Sequence, residues 1–292
     1  MRPPRHATPR HYLMCRPTYF TVSYEINPWM HTAVPTDTDL AVAQWQELHD
    51  TYVRLGHRVE LIEPVVGLPD MVYAANGALV SDGEVYTAKF TYPQRMPEGP
   101  AYADWFAERG FRVHTASATN EGEGDILTVG DLVLAGTGFR TSTAAHAELQ
   151  EAIGKPVIGL RLVDPRFYHL DTALMVLSDS EVAYYPPAFS EGSRRVLERL
   201  FPDAVIATEA DAVVLGLNGV SDGRHVIHNP RATDLAAALA ERGFEPIGID
   251  TSELLKGGGG AKCCTLEIRA TVRDQGHQPP GAVLTASVGA GG

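Results

Sequence analysis

Between residues 78 and 249 one short pattern returns four times: a β-rich segment, a tight polar turn, a second β-rich segment, a helix-like stretch and a closing strand. The four hairpins are 78–81 with 84–88, 126–129 with 132–135, 174–178 with 181–185, and 219–221 with 224–228. Their turns are Asp82-Gly83, Gly130-Asp131, Asp179-Ser180 and Asp222-Gly223. Asp-Gly between β-rich runs is a strong hairpin signal, because the turn needs residues that tolerate a positive φ. Helix-like stretches follow at 101–109, 143–153, 191–200 and 234–242, and Gly110 and Gly243 stand directly after two of them, where a helix stop is expected. Short closing strands follow at 111–114, 157–160, 204–207 and 245–249. A repeat of roughly 45–50 residues marks a supersecondary unit used several times.

A fifth unit assembles from both ends of the chain. The segment 263–272 supplies its first strand, and 12–23 with 58–63 the rest. Five ββαβ units predict an α/β fold closed around an axis, a five-bladed α/β propeller with pseudo-five-fold symmetry. The competing architecture is an ordinary α+β domain with several hairpins. The expected organisation is a loose, basic N-terminus over 1–10, one catalytic domain over 11–272, and a flexible Gly/Pro/Ala/Ser-rich tail over 273–292.

Composition removes several classes of function. Of 292 residues, 44% are hydrophobic, enough for a globular core, and the formal net charge is −12. An acidic balance argues against a nucleic-acid partner, which needs clustered Lys and Arg. No apolar run is long enough to span a bilayer, and the basic start lacks the apolar stretch of a signal peptide. Only Cys15, Cys263 and Cys264 are present, with no CxxC or HExxH. That pattern fits the reducing cytoplasm and gives no support to a disulfide framework or a zinc site. The run Lys256-Gly-Gly-Gly-Gly-Ala-Lys262 is not a P-loop, since Cys263 stands where Ser or Thr is required.

The repeat also aligns reactive side chains. Just before the first strand of successive units stand Asn76, then Glu121, Glu123 and Asp125, then His169 and Asp171, then Asn218, then Cys263. If the units close around an axis, these groups converge, and a buried polar ring is costly unless its members satisfy one another or a ligand. Cys263 follows four glycines and opens a strand, so alternation sends Cys263 and Cys264 to opposite faces, one reactive and one a small core residue. His169 has the chemistry to accept and return protons near neutral pH, and Asp171 is expected beside it on the same strand face. Glu121, Glu123 and Asp125 crowd three carboxylates into five residues, a set suited to a planar cation such as guanidinium. Arg95 and Arg140 follow the second strands of the first two hairpins, placed to meet an anion at the rim.

Together these motifs resemble the guanidine-modifying, or amidinotransferase-like, superfamily: dimethylarginine dimethylaminohydrolases, arginine deiminases, arginine dihydrolases and amidinotransferases. The resemblance rests on Glu121-Gly-Glu-Gly-Asp125, Gly136-Thr-Gly-Phe-Arg140-Thr-Ser, His169-Leu-Asp171-Thr and the glycine run before Cys263, in family order. It spans roughly residues 10–269. It implies the five-bladed pentein fold and a cofactor-independent hydrolase acting on a small-molecule arginine derivative. Cys263 would attack the guanidino carbon to give a covalent thiouronium. His169 would protonate the departing amine and then activate water. Glu123 would hold the guanidinium and orient His169, with Glu121 as the other candidate. Asp125 and Asp171 would support the loop and the substrate, and Arg95 and Arg140 would bind the substrate carboxylate. Asn27 and Asn76 depart from animal-type methylarginine hydrolases and resemble the amide pair of ammonia-releasing arginine dihydrolases. The leading expectation is dimethylargininase. Arginine dihydrolase, amidinotransferase and a non-catalytic amino-acid binder remain alternatives, and a homodimer is left open.

Overall fold

The computed structural model describes residues 4–269. Five three-stranded sheets stand around an axis, each with its first strand antiparallel to the second and the second parallel to the third. The first blade is Ala78–Ser81, Glu84–Thr87, the helix Glu98–Glu108 and Arg112–His114. The second is Ile126–Val129, Leu132–Thr137, the helix Thr143–Ile153 and Val157–Arg161. The third is Leu174–Val176, Val182–Tyr184, the helix Glu191–Leu200 and Val205–Ile206. The fourth is Val220–Ser221, His225–His228, the helix Thr233–Glu241 and Glu245–Gly248. The fifth joins the two ends of the chain: Leu266–Glu267 pairs antiparallel with His11–Cys15, which runs parallel to Arg58–Ile62 after the helix Thr38–Arg54. The expected propeller is therefore the observed one, with the same unit order in every blade.

The local chemistry explains why the units form. Asp82 and Gly83 both take positive φ (53° and 83°), the geometry a two-residue hairpin demands. Ser142 and Ser190 cap their helices by accepting from the backbone N–H groups of Ala145 and Ser193. The apolar core lies between neighbouring blades, so that Leu13 and Leu266 of the fifth blade pack with Val80, Val85 and Phe106 of the first. Trp45 and Tyr52 of the fifth-blade helix close over Tyr12 and Met14.

Three boundaries differ from expectation. The strand anticipated over 12–23 stops at Cys15, since Pro17 cannot continue the ladder and the chain turns there. The strand anticipated from residue 263 begins only at Leu266, and its anticipated end lies outside the described residues, as does the expected tail 273–292. Within the expected loose N-terminus, Arg5, Thr8 and Arg10 make contacts with the domain. Arg5 pairs with Glu181 and stacks 3.6 Å from the Phe244 ring centroid, and the Thr8 N–H donates to the Asp222 carbonyl. No described helix is long and apolar enough to cross a membrane.

Candidate active site

First strands of adjacent blades neighbour one another around the axis. Each is preceded by a tight turn rather than by more strand: a 3-10 turn at Ala74–Gly77, another at Gly122–Gly124, a single helical turn at Leu170–Ala173, and the turns that hold Asn218 and Cys263. These turns deliver the polar ring anticipated from the sequence. Asn76, Glu121, Asp125, His169, Asp171, Asn218 and Cys263 are all buried.

The Cys263 sulfur lies 3.1 Å from the Asn218 Nδ2 and 3.2 Å from the Asp171 Oδ2. Burial, with the Asp171 carboxylate beside it, pushes the thiol well above its ordinary value. Burial also lifts the Asp171 carboxyl to about 6, although His169 and Lys262 favour its charge. The free protein thus holds a neutral thiol against a carboxyl group, a pair that a bound cation would stabilise as anions. Both cysteines border the apolar cluster around Tyr12, Trp45 and Tyr52, but only the Cys263 sulfur has polar partners among the described residues, which leaves Cys264 as the bland member of the pair.

His169 caps its helical turn in an extended conformation, and its Nε2 lies 2.8 Å from the Glu121 Oε2. Both Glu121 oxygens also accept from the Arg140 Nη1, at 3.1 and 2.9 Å. Burial opposes the charge of Glu121, but Arg140 and His169 outweigh it and hold the carboxyl below its ordinary range. Arg140 lies between the rings of Tyr92 and Tyr168, 4.5 and 4.8 Å from their centroids, and donates to the Ile26 carbonyl.

Glu123 was expected to orient His169, and the structure places it elsewhere. Its carboxylate accepts from Lys262 (2.8 Å), Arg269 (2.7 Å) and the Glu267 backbone N–H (3.0 Å). The physical reason is the turn: Gly122 at φ 51° and the 3-10 geometry of Gly122–Gly124 send the side chains of Glu121 and Glu123 in different directions. The same reason corrects the expected His169/Asp171 strand face: Asp171 sits within the helical turn and meets Cys263, while His169 meets Glu121.

Arg95 and Arg140, expected at a rim, are buried and paired. Arg95 donates to Glu98 (2.9 and 2.8 Å), the Asn76 Oδ1 (2.8 Å) and the Asp70 carbonyl (3.3 Å). Asp125 spends both oxygens inside the protein, on the Thr141 hydroxyl (2.7 Å) and the Leu170 N–H (3.1 Å). Asn27 lies on the glycine run: its Nδ2 donates to the Gly257 carbonyl at 3.1 Å, and its Oδ1 accepts from the Trp29 N–H.

Among the described residues, four buried polar atoms of this ring lack a partner: Asn76 Nδ2, His169 Nδ1, Asp171 Oδ1 and Asp70 Oδ1. Gly124 separates the first two, since a Cβ there would lie 2.3 Å from Asn76 Nδ2 and 3.1 Å from His169 Nδ1. A donor amide, an imidazole nitrogen and carboxylate oxygens left open at one buried place are what a polar, cationic guest requires. Asp70 was not singled out from the sequence. Its place in Pro69-Asp-Met, beside the Asn76 turn, was the available signal.

The sequence model of the N,N dimethylarginine dimethylhydrolase family, eukaryotic, matches residues 16–270. The chain belongs to the dimethylarginine dimethylaminohydrolase family. It is 55% identical over 267 residues to the N(G),N(G)-dimethylarginine dimethylaminohydrolase of Mycobacterium tuberculosis, which covers 91% of this chain and 88% of that protein. It is 38% identical over 272 residues to the bifunctional arginine dihydrolase/ornithine cyclodeaminase ArgZ of Synechocystis sp., over 91% of this chain and 38% of that longer one. The crystal structure of a mutant N-terminal domain of ArgZ bound to its substrate superposes with a TM-score of 0.86 at 38% identity, over 89% of this chain and 98% of that one. Family membership and the structural neighbours agree on the pentein propeller, and this dimethylarginine dimethylaminohydrolase family member carries its reactive ring at the blade entrances.

Proposed function

We propose that this protein hydrolyses a guanidino C–N bond of an arginine-type substrate, and that Nω-methylated arginine plus water gives citrulline and an alkylamine. The observation that carries the reading is the single buried cluster in which the Cys263 sulfur meets Asp171 while His169 is held by Glu121. The substrate guanidinium sits against Asp171, whose Oδ1 is open, and its positive charge stabilises the Cys263 thiolate as the thiol proton passes to His169. The thiolate attacks the guanidino carbon. The C–N bond to the alkylamine breaks as His169 gives that nitrogen a proton, leaving a thiouronium on Cys263. His169 then takes a proton from water, hydroxide adds to the same carbon, and the C–S bond breaks as the hydroxyl proton returns to the sulfur, leaving the urea of citrulline and the Cys263 thiol. Because Glu121 occupies Nε2, the open Nδ1 is the nitrogen that exchanges protons with substrate and water. Glu121 is thus an orienting group, in the role first assigned to Glu123. Arg95 keeps one Nη1 hydrogen beyond its protein bonds, which is available to a substrate carboxylate.

A second reading, release of two ammonia molecules from free arginine to give ornithine, is favoured by one observation. The Asn76 amide leaves its Nδ2 open beside His169, and Asn27 lies on the glycine run that leads to Cys263. Incubation with asymmetric dimethylarginine and with arginine, followed by product analysis, separates the two. Citrulline and dimethylamine from the first substrate support dimethylargininase; ornithine with two ammonia from arginine alone overturns it. Cys263→Ser abolishes turnover on either substrate and retains binding.

A further inference from the structure

Asn218 stands in none of the roles above, yet its amide makes two hydrogen bonds to the nucleophile, one to its sulfur and one to its backbone. It enters from the fourth blade, just before Val220–Ser221. Its Nδ2 donates to the Asp171 carbonyl at 3.1 Å and to the Cys263 sulfur at 3.1 Å. Its Oδ1 accepts from the backbone N–H groups of Gly260 at 2.9 Å and Cys263 at 3.1 Å. All four hydrogen-bonding sites of the amide are used. These partners also fix which way the amide faces. A carbonyl oxygen must face a donor and two N–H groups must face an acceptor, so the group at the sulfur is the NH2.

The chain upstream is bent to put Asn218 there. Leu215 is buried at φ 51°, and besides Asp82 in its hairpin turn it is the one non-glycine with positive φ among the described residues. Its carbonyl accepts the Asn218 N–H at 3.0 Å. A branched hydrophobic residue in the left-handed region costs about 1–2 kcal/mol, a strain that a plain loop closure does not require.

We propose that Asn218 is a positioning residue for the reaction: its amide fixes the Cys263 side chain against the glycine run and donates a hydrogen bond that the sulfur keeps when it becomes an anion. The proposal rests on Cys263 being the nucleophile. The Gly260 backbone N–H also favours the thiolate, but the other side chains facing the sulfur work against its ionisation or leave it unaided. Asp171 disfavours the thiolate, the Cys264 thiol does the same, and the Tyr73 and Tyr168 hydroxyls already donate elsewhere, to the Leu254 and Gly258 carbonyls. Lys262 and His169 act on Asp171, and Lys262 is held by Glu123. Asn218 is the neutral side-chain donor in this set, and a hydrogen bond to an ionised group is worth roughly a tenfold to hundredfold change in its ionisation.

The test is the pH dependence of Cys263 alkylation by iodoacetamide in the substrate-free protein, read by mass analysis of the peptide carrying residues 263 and 264. Steady-state kcat and KM are measured alongside. Asn218→Ala should move the alkylation midpoint upward by about one unit. It should lower kcat about 10- to 100-fold and leave KM within about threefold. Asn218→Ser, which adds no charge and keeps a polar group in the space, gives the same reading if the alanine variant does not fold. A folded variant with the wild-type alkylation midpoint reduces Asn218 to a loop support and overturns the proposal, whatever happens to kcat. Turnover by Cys263→Ser overturns the nucleophile itself, a separate result that the Asn218 variants cannot mimic.

Discussion

Two carboxylates separated by one glycine are committed to different partners. Glu121 meets Arg140 and His169, beside atoms that remain open for a guest. Glu123 is saturated by Lys262, Arg269 and a backbone N–H, and it lines a cavity of about 170 Å³ with Lys262, Thr128, Met175 and Val220. Both are buried ions, and both are paired, yet their surroundings assign different work. Around Glu121 some polar capacity is deliberately unspent; around Glu123 ion pairs lock the Lys262–Arg269 segment into the closing blade. Burial and charge alone do not tell the two carboxylates apart, but their partners do: an imidazole for Glu121, Lys262 and Arg269 for Glu123.

The strongest way to break this comparison is to neutralise each carboxylate in turn. Glu121→Gln frees the His169 ring and strands Arg140, so kcat should fall on the order of a thousandfold, with a loss of stability of about 3 kcal/mol. Glu123→Gln should cost a similar amount of stability, measured by urea unfolding, while kcat of the folded protein falls less than tenfold. If Glu123→Gln were the inactive variant and Glu121→Gln the active one, the assignment of the two carboxylates would be reversed.

A smaller effect sharpens the comparison through pH. Asp171 titrates near 6 in the folded protein, above its ordinary value of 3.8. A carboxyl raised on folding adds stability below its unfolded value and loses it as the pH rises through about 6. Glu121 is shifted the other way, so its contribution is present above the unfolded value and is lost only in strong acid. Wild-type protein should therefore gain stability from pH 7.5 to 5.5, and Asp171→Asn should flatten that rise in urea titrations at the two pH values. An unchanged slope would mean that Asp171 is already protonated at neutral pH or fully paired.

The smallest expected effect lies at the blade rim. Ser190→Ala removes the cap of the third-blade helix and should cost about 1 kcal/mol with kcat unchanged, seen as a lowered Tm at constant specific activity. A change in kcat would show that the rim communicates with the axis.

The contrast between the two glutamates also shows what the sequence could and could not convey. Blades were readable because hairpin turns and helix caps are local: Asp82-Gly83 needs nothing beyond its own backbone preferences, and Ser190 caps the helix it precedes. The ring of reactive residues followed from the repeat, since equivalent positions in equivalent units converge. Direction did not follow. Glu121, Glu123, His169, Asp171 and Cys263 all lie in tight turns rather than in strands, where period-two alternation has no force. The pairing of Arg95 with Glu98 was likewise hidden, because it forms as the helix Glu98–Glu108 starts and buries both groups.

The fifth blade is assembled from the first and last described strands, and the loop bearing Cys263 immediately precedes the last one. A polypeptide emerging from the ribosome must therefore extend through Glu267 before the annulus can shut. Contacts so distant along the chain form late. A nascent or prematurely terminated product that already owns His169 and Glu121 would still have no sulfur in place, so reactivity toward guanidines arrives only once the segment Cys263–Glu267 has been made.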